Sequence, residues 1–391
     1  IRGEYEFNSN FKLGATYLYK SDKATDRKPK VGQETTRSTI WDADASYKFK
    51  PNFLSKAINL LPFYSTTSES NLAISGEMAQ SHPNPNVDGV AYIDDFEGSR
   101  DSYSLGIFRE LWTLSSRPAG LDTASHRAQL IWYNPYDQVA TNSIWNRELK
   151  PGESGTHTLW VRFEPGKLDR RAGEYPANIS YDSTRAWNGL MRYMPAGSAN
   201  QDAAQLLELR IQGEKGIIHF EMGVISEDVN GNDSLDTEDR RSIGGFYNNI
   251  LDEGEDVGLD GKKDSDEPGY DPVTNPDPNG DNWYYNGEGA GCNGCGPYDY
   301  EAINGTEGNA KDPNRWGKPD TEDIYRNNVS DKANNYFSFK LDLSNPGSFY
   351  VDSSDFNGWK TYRIPIKDTA ALDTVVGSPS WSQINYVRVW F

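Results

Sequence analysis

The densest chemistry in the sequence is Asp228-Val229-Asn230-Gly231-Asn232-Asp233-Ser234-Leu235-Asp236-Thr237-Glu238-Asp239. Oxygen-bearing side chains stand at Asp228, Asn230, Asn232, Ser234, Asp236 and Asp239, which are positions 1, 3, 5, 7, 9 and 12 of the stretch. Alternate residues of a tight loop can all point inward, and a hard cation such as calcium needs six to eight oxygens arranged in this way. Two further clusters follow. Asp256, Asp260, Asp264 and Asp266 are spaced four, four and two apart among glycines, and Asp277, Asn279 and Asp281 alternate. The competing reading of each is a solvated acidic loop. For the first loop calcium outweighs that reading, because so many carboxylates in one compact loop repel one another unless a counter-ion joins them. For the other two clusters the readings stand level.

The first loop departs from the helix-loop-helix calcium hand, with Gly231 at position 4 instead of 6 and Asp239 in place of the longer Glu at position 12. It is more similar to the loops of dockerins and other bacterial calcium repeats. Cys292 and Cys295 are the only cysteines and sit in a Gly-rich loop. The absence of a second pair or nearby histidine argues against four-ligand zinc. The spacing suits a short structural disulfide in an oxidising compartment, with two free thiols as the alternative. Asp94, Asp95 and Glu97 offer the carboxylates of a glycoside hydrolase, but carboxylates at a strand end more often cap turns. The four histidines are scattered, and there is no phosphate loop, nucleophile elbow or His-Glu-x-x-His motif. Nothing in the sequence asks for catalysis, and the chain reads as a non-enzyme.

Composition says what must position these loops. Aromatics make up 13% of the chain, Gly and Pro are plentiful at 36 and 21, and Met is scarce at 4, which favours strands joined by long turns. The net charge of −19 excludes a nucleic-acid partner. It is concentrated between Glu227 and Asp281, where seventeen acidic residues face four basic ones.

Residues 1–86 carry long alternating runs: Phe11 to Tyr19, Trp41 to Phe49 and, more loosely, Leu72 to Ala79. Runs of this length suit transmembrane barrel strands, but on pattern alone a half-buried strand of a soluble sheet, which has the same period, suits them somewhat better. Phe53 to Pro62 reads as a short amphipathic helical turn, and His82-Pro83-Asn84-Pro85-Asn86 breaks the pattern and sets a boundary. From Val87 a second unit begins, with strands at Val90–Gly98, Gln129–Tyr133, His157–Phe163, Leu206–Ile211, Gly216–Ile225, Tyr336–Leu343, Trp359–Ile366 and Ile384–Phe391. Short strands between turn signals predict a β-sandwich over 87–391, with an acidic insertion at about 227–331. No run reaches the ~20 apolar residues of a membrane helix. Ile1 at one end and a strand pattern up to Phe391 at the other suggest an internal piece of a longer chain.

Taken alone, the second unit resembles jelly-roll carbohydrate-binding modules through Asp94-Asp95-Phe96-Glu97, Gly358-Trp359 to Ile366 and Tyr386-Val387-Arg388-Val389-Trp390. That resemblance implies a two-sheet jelly roll and, more weakly, a glycan partner with Trp283, Tyr284 and Tyr285 as an exposed platform.

A more specific resemblance spans nearly the whole chain. Val90 to Ser99, Asn230-Gly231-Asn232-Asp233, Glu255 to Gly261, Ile303 to Asn309, Asp320-Thr321-Glu322-Asp323 and the upstream Thr39-Ile40-Trp41 occur in an order similar to the SprA (Sov) family, the outer-membrane translocon of the Bacteroidetes type IX secretion system. Membership implies a very large single-chain β-barrel that exports folded cargo. With the module resemblance, the expectation is mainly β: barrel-type strands over 1–86 followed by a jelly-roll β-sandwich with a long calcium-loop insertion. It also implies residence in the outer membrane or at the cell surface, and partners among the other secretion subunits and exported cargo such as adhesins, in gliding species. The family supplies no catalytic residues. The alternative is a secreted, calcium-stabilised carbohydrate-binding module or adhesin.

Overall fold

The computed structural model describes residues 1–23, 35–63, 65–85, 87, 102–149, 152–173, 179–241, 245, 247–285, 297–312, 315, 317–351 and 355–391. The chain is mainly β and divides into two compact units, residues 1–101 with 147–152, and residues 102–146 with 153–391.

The first unit is an antiparallel meander of β1 (Arg2–Asn8), β2 (Phe11–Asp22), β3 (Thr36–Phe49) and β4 (Leu72–Asn84), in that order, with a helix α1 (Asn52–Ile58) between β3 and β4. Among the described residues β1 and β4 do not pair, so the sheet is open. The two-residue period shows in the register, which aligns Leu13 with Ala45 and Tyr17 with Trp41. On the β4 side it sets Ala45 beside Gly76 and Ala43 beside Met78. One face is therefore apolar. It carries Phe7, Phe11, Tyr47 and Phe49 toward one end, Tyr17, Tyr19 and Trp41 toward the other, and Leu13, Ala15, Ala43, Ala45 and Met78 between. Tyr5, Phe7, Phe11, Tyr47 and Phe49 form a chain of ring contacts with centroids 4.7 to 6.1 Å apart. The opposite face carries Arg2, Glu4, Glu6, Lys12, Asp42, Asp44, Lys48 and Glu77. The apolar face is open, with Tyr5 62%, Tyr17 52% and Met78 62% exposed.

The sequence pattern stops at His82, yet β4 continues through Pro83, which pairs with Ser38. β4 is an edge strand, where proline's missing N–H breaks no ladder bond on the outer side. β1 escapes the apolar-run reading because its alternate positions are Arg2, Glu4 and Glu6.

The second unit contains β5 (Thr113–Leu114), β6 (His126–Tyr133), β7 (Val139–Ala140), helix α2 (Thr141–Ile144), β8 (Gly155–Thr156), β9 (Trp160–Leu168), β10 (Ala186–Trp187), β11 (Gly189–Tyr193), β12 (Leu206–Gln212), β13 (Ile217–Val224), β14 (Asn335–Asp342), β15 (Trp359–Pro365), β16 (Thr374–Val376) and β17 (Tyr386–Trp390). Six strands form one sheet in the order β16-β14-β13-β17-β11-β5. Register places Ile218, Phe220 and Met222 of β13 on the same face as Phe339 and Leu341 of β14, Val387 and Val389 of β17 and Leu190 of β11. That face is covered by two smaller sheets. The β12–β15 pair contributes Tyr362 and Ile364, and β6 with β9 contributes Leu130 and Trp132. On the other face, the fully buried Arg388 guanidinium pairs with Glu221 and donates to the Ser116 backbone carbonyl and hydroxyl at 3.2 and 3.0 Å.

β13 and β14 are direct ladder partners, with Val224 opposite Asn335. The acidic stretch is therefore one very long excursion from a hairpin.

Candidate metal centre

Between Val224 and Asn335 the described chain forms no strand, only isolated bridges and short helical turns. Its buried amides still require acceptors, and carboxylates supply them. The Glu227 carboxylate accepts from the Tyr325 and Asp331 amides at 2.9 and 3.4 Å and from the Tyr386 hydroxyl at 2.9 Å. Glu238 accepts from the Val257, Gly258 and Asp320 amides at 3.1, 3.0 and 2.6 Å. Glu255 takes those of Arg240 and Asp252, and Glu322 those of Val229 and Asp236.

Each of these glutamates is followed by an aspartate that closes a turn or a second loop. Asp228 accepts from the amides of Gly231, Asn232 and Asp233. Asp239 accepts from Asn248 and Asn249, Asp256 from Gly308 and Ala310, and Asp323 from Asn327 and Asn328. A Glu-Asp dipeptide thus recurs four times as a double staple. Burial pushes Glu227 up to about 7, and Glu238 and Glu322 up to about 8.

These bonds decide where the ligand candidates from the sequence go. In the first loop Asp228 is engaged by three amides, and Asp236 accepts from the side-chain amides of Asn230 and, at 2.8 Å, Asn232. Ser234 is exposed, and Asp239 turns away to the 248–249 segment. In the second cluster, Asp256 serves the 308–310 turn and Asp266 is exposed. Asp260 accepts from the Lys262 amide at 3.0 Å and from the Asn279 side chain at 2.9 Å.

What the fold does bring together crosses the cluster boundaries. Asp264, Glu267, Asp277 and Asp281 each place a carboxylate oxygen within 4.8 Å of the others. The chain leaves on a helical turn at Asp264–Asp266 and returns through the Asp277 turn, whose carboxylate accepts from the Gly280, Asp281 and Asn282 amides. The Asn279 amide donates to Glu267 Oε2 at 2.9 Å and locks the two passes together. Asp264 accepts from the Asn282 side chain at 2.9 and 3.1 Å. Asp281 is fully buried, and neither of its oxygens has a hydrogen-bond partner; Glu267 Oε1 is in the same condition. Among the described residues no Lys or Arg pairs with any of the four. Burial, with Glu267 and Asp277 alongside, pushes the Asp281 carboxyl up to about 9. Glu267 is pushed up to about 7, again chiefly by burial, and so is Glu307, whose Oε2 accepts from the Asp264 amide at 3.1 Å. Four converging carboxylate oxygens, two from buried and two from half-buried residues, are the donor type of a hard divalent cation.

Glu267 belongs to none of the alternating clusters in the sequence, and neither do the four stapling glutamates. A visible signal for the latter was the dipeptide itself, at 227, 238, 255 and 322. Cys292, Cys295, Asp94, Asp95, Glu97 and the Val90–Gly98 strand lie outside the described residues. The expected aromatic platform is corrected. Trp283 and Tyr285 are buried, packed with Ile131, Tyr133 and Ile303, because the insertion uses them as its own core against β6. Neither a scan against protein-family models nor a search of curated proteins finds a match to this chain.

Proposed function

We propose that the chain is a non-enzymatic, structural segment of an outer-membrane protein-secretion translocon of the SprA type. In this reading β1–β4 are part of a lipid-facing barrel wall, and the second unit is a jelly-roll domain that offers a surface to partner subunits and exported folded cargo. The observation that carries it is the open apolar face of β1–β4. A four-stranded sheet in water hides such a face, and an exposed one of this size marks a membrane or protein contact. Here aromatic rings gather at both ends, from Phe11 to Tyr19, about 26 Å along the strand at the usual rise per residue. Small and aliphatic residues fill the middle, and the other face is mainly charged, with Leu18 and Ile40 paired among the charges, a distribution similar to that of an outer-membrane barrel. The jelly-roll reading draws on the six-stranded antiparallel sheet and the layers over it. The secreted glycan-binding alternative keeps only the half-buried Tyr284 of its three expected platform rings, since Trp283 and Tyr285 are buried.

The test is single-cysteine labelling in the native envelope. Cysteines at Leu13, Ala43 and Met78 should be protected from a water-soluble maleimide until detergent is added, while those at Lys12, Asp44 and Glu77 should react. Equal reactivity on both faces removes the barrel assignment. Depletion of the protein should leave folded cargo in the periplasm; an unchanged exported proteome would remove the translocon assignment.

A further inference from the structure

We propose that Asp264, Glu267, Asp277 and Asp281 bind one calcium ion that clasps the outgoing and returning passes of the acidic insertion. The argument rests on this site alone, so it stands or falls separately from the translocon reading.

The first support is the state of Asp281. A fully buried carboxylate normally collects two or more N–H donors, as Glu238 does nearby. Asp281 has none on either oxygen, although the amides around it are well used: those of Thr306 and Glu307 donate to its backbone carbonyl at 2.7 and 3.0 Å. A buried ionised group without donors or a counter-charge is among the most costly features a fold can carry. The second support is the convergence of three further carboxylates on it, one of them with another unpartnered buried oxygen. The third is steric. Gly258, at φ +78°, leaves the space that the Asp281 carboxylate occupies; a Cβ there would lie 2.5 Å from Oδ2.

The donor set selects the ion. All four ligands are carboxylates, able to bind through one or both oxygens and so to reach the six to eight donors of calcium. Magnesium demands strict octahedral geometry and keeps most of its waters, and zinc prefers His or Cys. Neither His nor Cys is in the cluster.

The test is calcium chloride titration of the chelator-stripped 391-residue chain by calorimetry, paired with thermal unfolding with and without calcium. Wild type, Asp281→Asn and Glu267→Gln are compared. Asp281→Asn should lose one equivalent of calcium, or bind it at least tenfold more weakly. The same variant should melt close to wild type when both are chelated and should lose the rise in melting temperature that calcium gives wild type, because the ion-binding carboxylate is gone. Loss of a merely structural carboxylate would lower both curves. Glu267→Gln should also weaken that equivalent, and it carries the test should Asp281→Asn not fold. A wild-type chain that takes up no calcium at millimolar concentration overturns the proposal. So does an Asp281→Asn chain that keeps every equivalent at full affinity. Equal uptake from magnesium chloride overturns the choice of ion.

Discussion

The α-carbon of Gly258 faces the carboxylate of Asp281 so closely that any side chain at 258 must displace it. Gly258 also has a left-handed backbone, and its amide is held by Glu238 at 3.0 Å. Gly258→Ala is therefore expected to lower the stability of the chain by about 1–3 kcal/mol, from backbone strain together with the displaced carboxylate. It should also weaken calcium uptake. Urea unfolding with calcium present measures the first effect, and a midpoint equal to wild type would rule it out.

Glu238 accepts from three backbone amides, more than any other of the stapling glutamates. Glu238→Ala strands the amides of Val257, Gly258 and Asp320 in a buried site, at a cost of about 3 kcal/mol or more. Glu238→Gln retains one acceptor oxygen and should cost less. Hydrogen exchange resolves the effect locally: protection at amides 257, 258 and 320 should fall together in Glu238→Ala. Exchange unchanged at all three would contradict the staple.

His219 stacks on Trp390, with ring centroids 3.8 Å apart, and burial depresses it to about 4 despite Asp373 at 3.7 Å. Its neutral form is favoured in the folded chain, while the unfolded chain binds the proton near 6.5. This contribution is complete above about 6.5 and is lost as pH falls toward 4, up to about 3 kcal/mol. His219→Phe should flatten the melting temperature against pH over that window. A variant that keeps the full slope would assign the acid sensitivity elsewhere.

Arg388 and Glu221 form a buried pair on the second face of the large sheet. Arg388→Met alone leaves the Glu221 charge unpaired and should cost about 3–5 kcal/mol. Arg388→Met combined with Glu221→Leu should recover most of that loss. Chemical denaturation of the two variants gives the comparison, and a double variant no better than the single one would refute the account.

The sequence makes local periods visible and distant pairings invisible. Phe11 to Tyr19 and Trp41 to Phe49 alternate clearly, and β2 and β3 form there. β11, from Gly189 to Tyr193, has no such alternation, because all its positions are buried or half-buried within a layered unit. The acidic stretch is visible as composition, and Asp264, Asp277 and Asp281 are visible as spaced oxygens. Their union with Glu267 is not, since it depends on the chain reversing between 267 and 279 and on one bond from the Asn279 amide. In the best-spaced run Asn230 and Asn232 both reach Asp236, while Asp239 is drawn away for a related reason. Asp239 finds donors in another loop, and no spacing rule within twelve residues can anticipate them.

Because Val224 and Asn335 sit side by side on one rung, the acidic excursion begins and ends at a single point of the large sheet. The ladder of β13 and β14 would close across a short turn if everything between them were absent. In building terms the insertion hangs from one hook and is steadied against the unit that carries it, by Trp283 and Tyr285 packed on β6 and by Asn304 bonded to Trp132. Both ends of the excursion are fixed by that one rung, so a change of length in its exposed loops leaves the β13–β14 ladder in place.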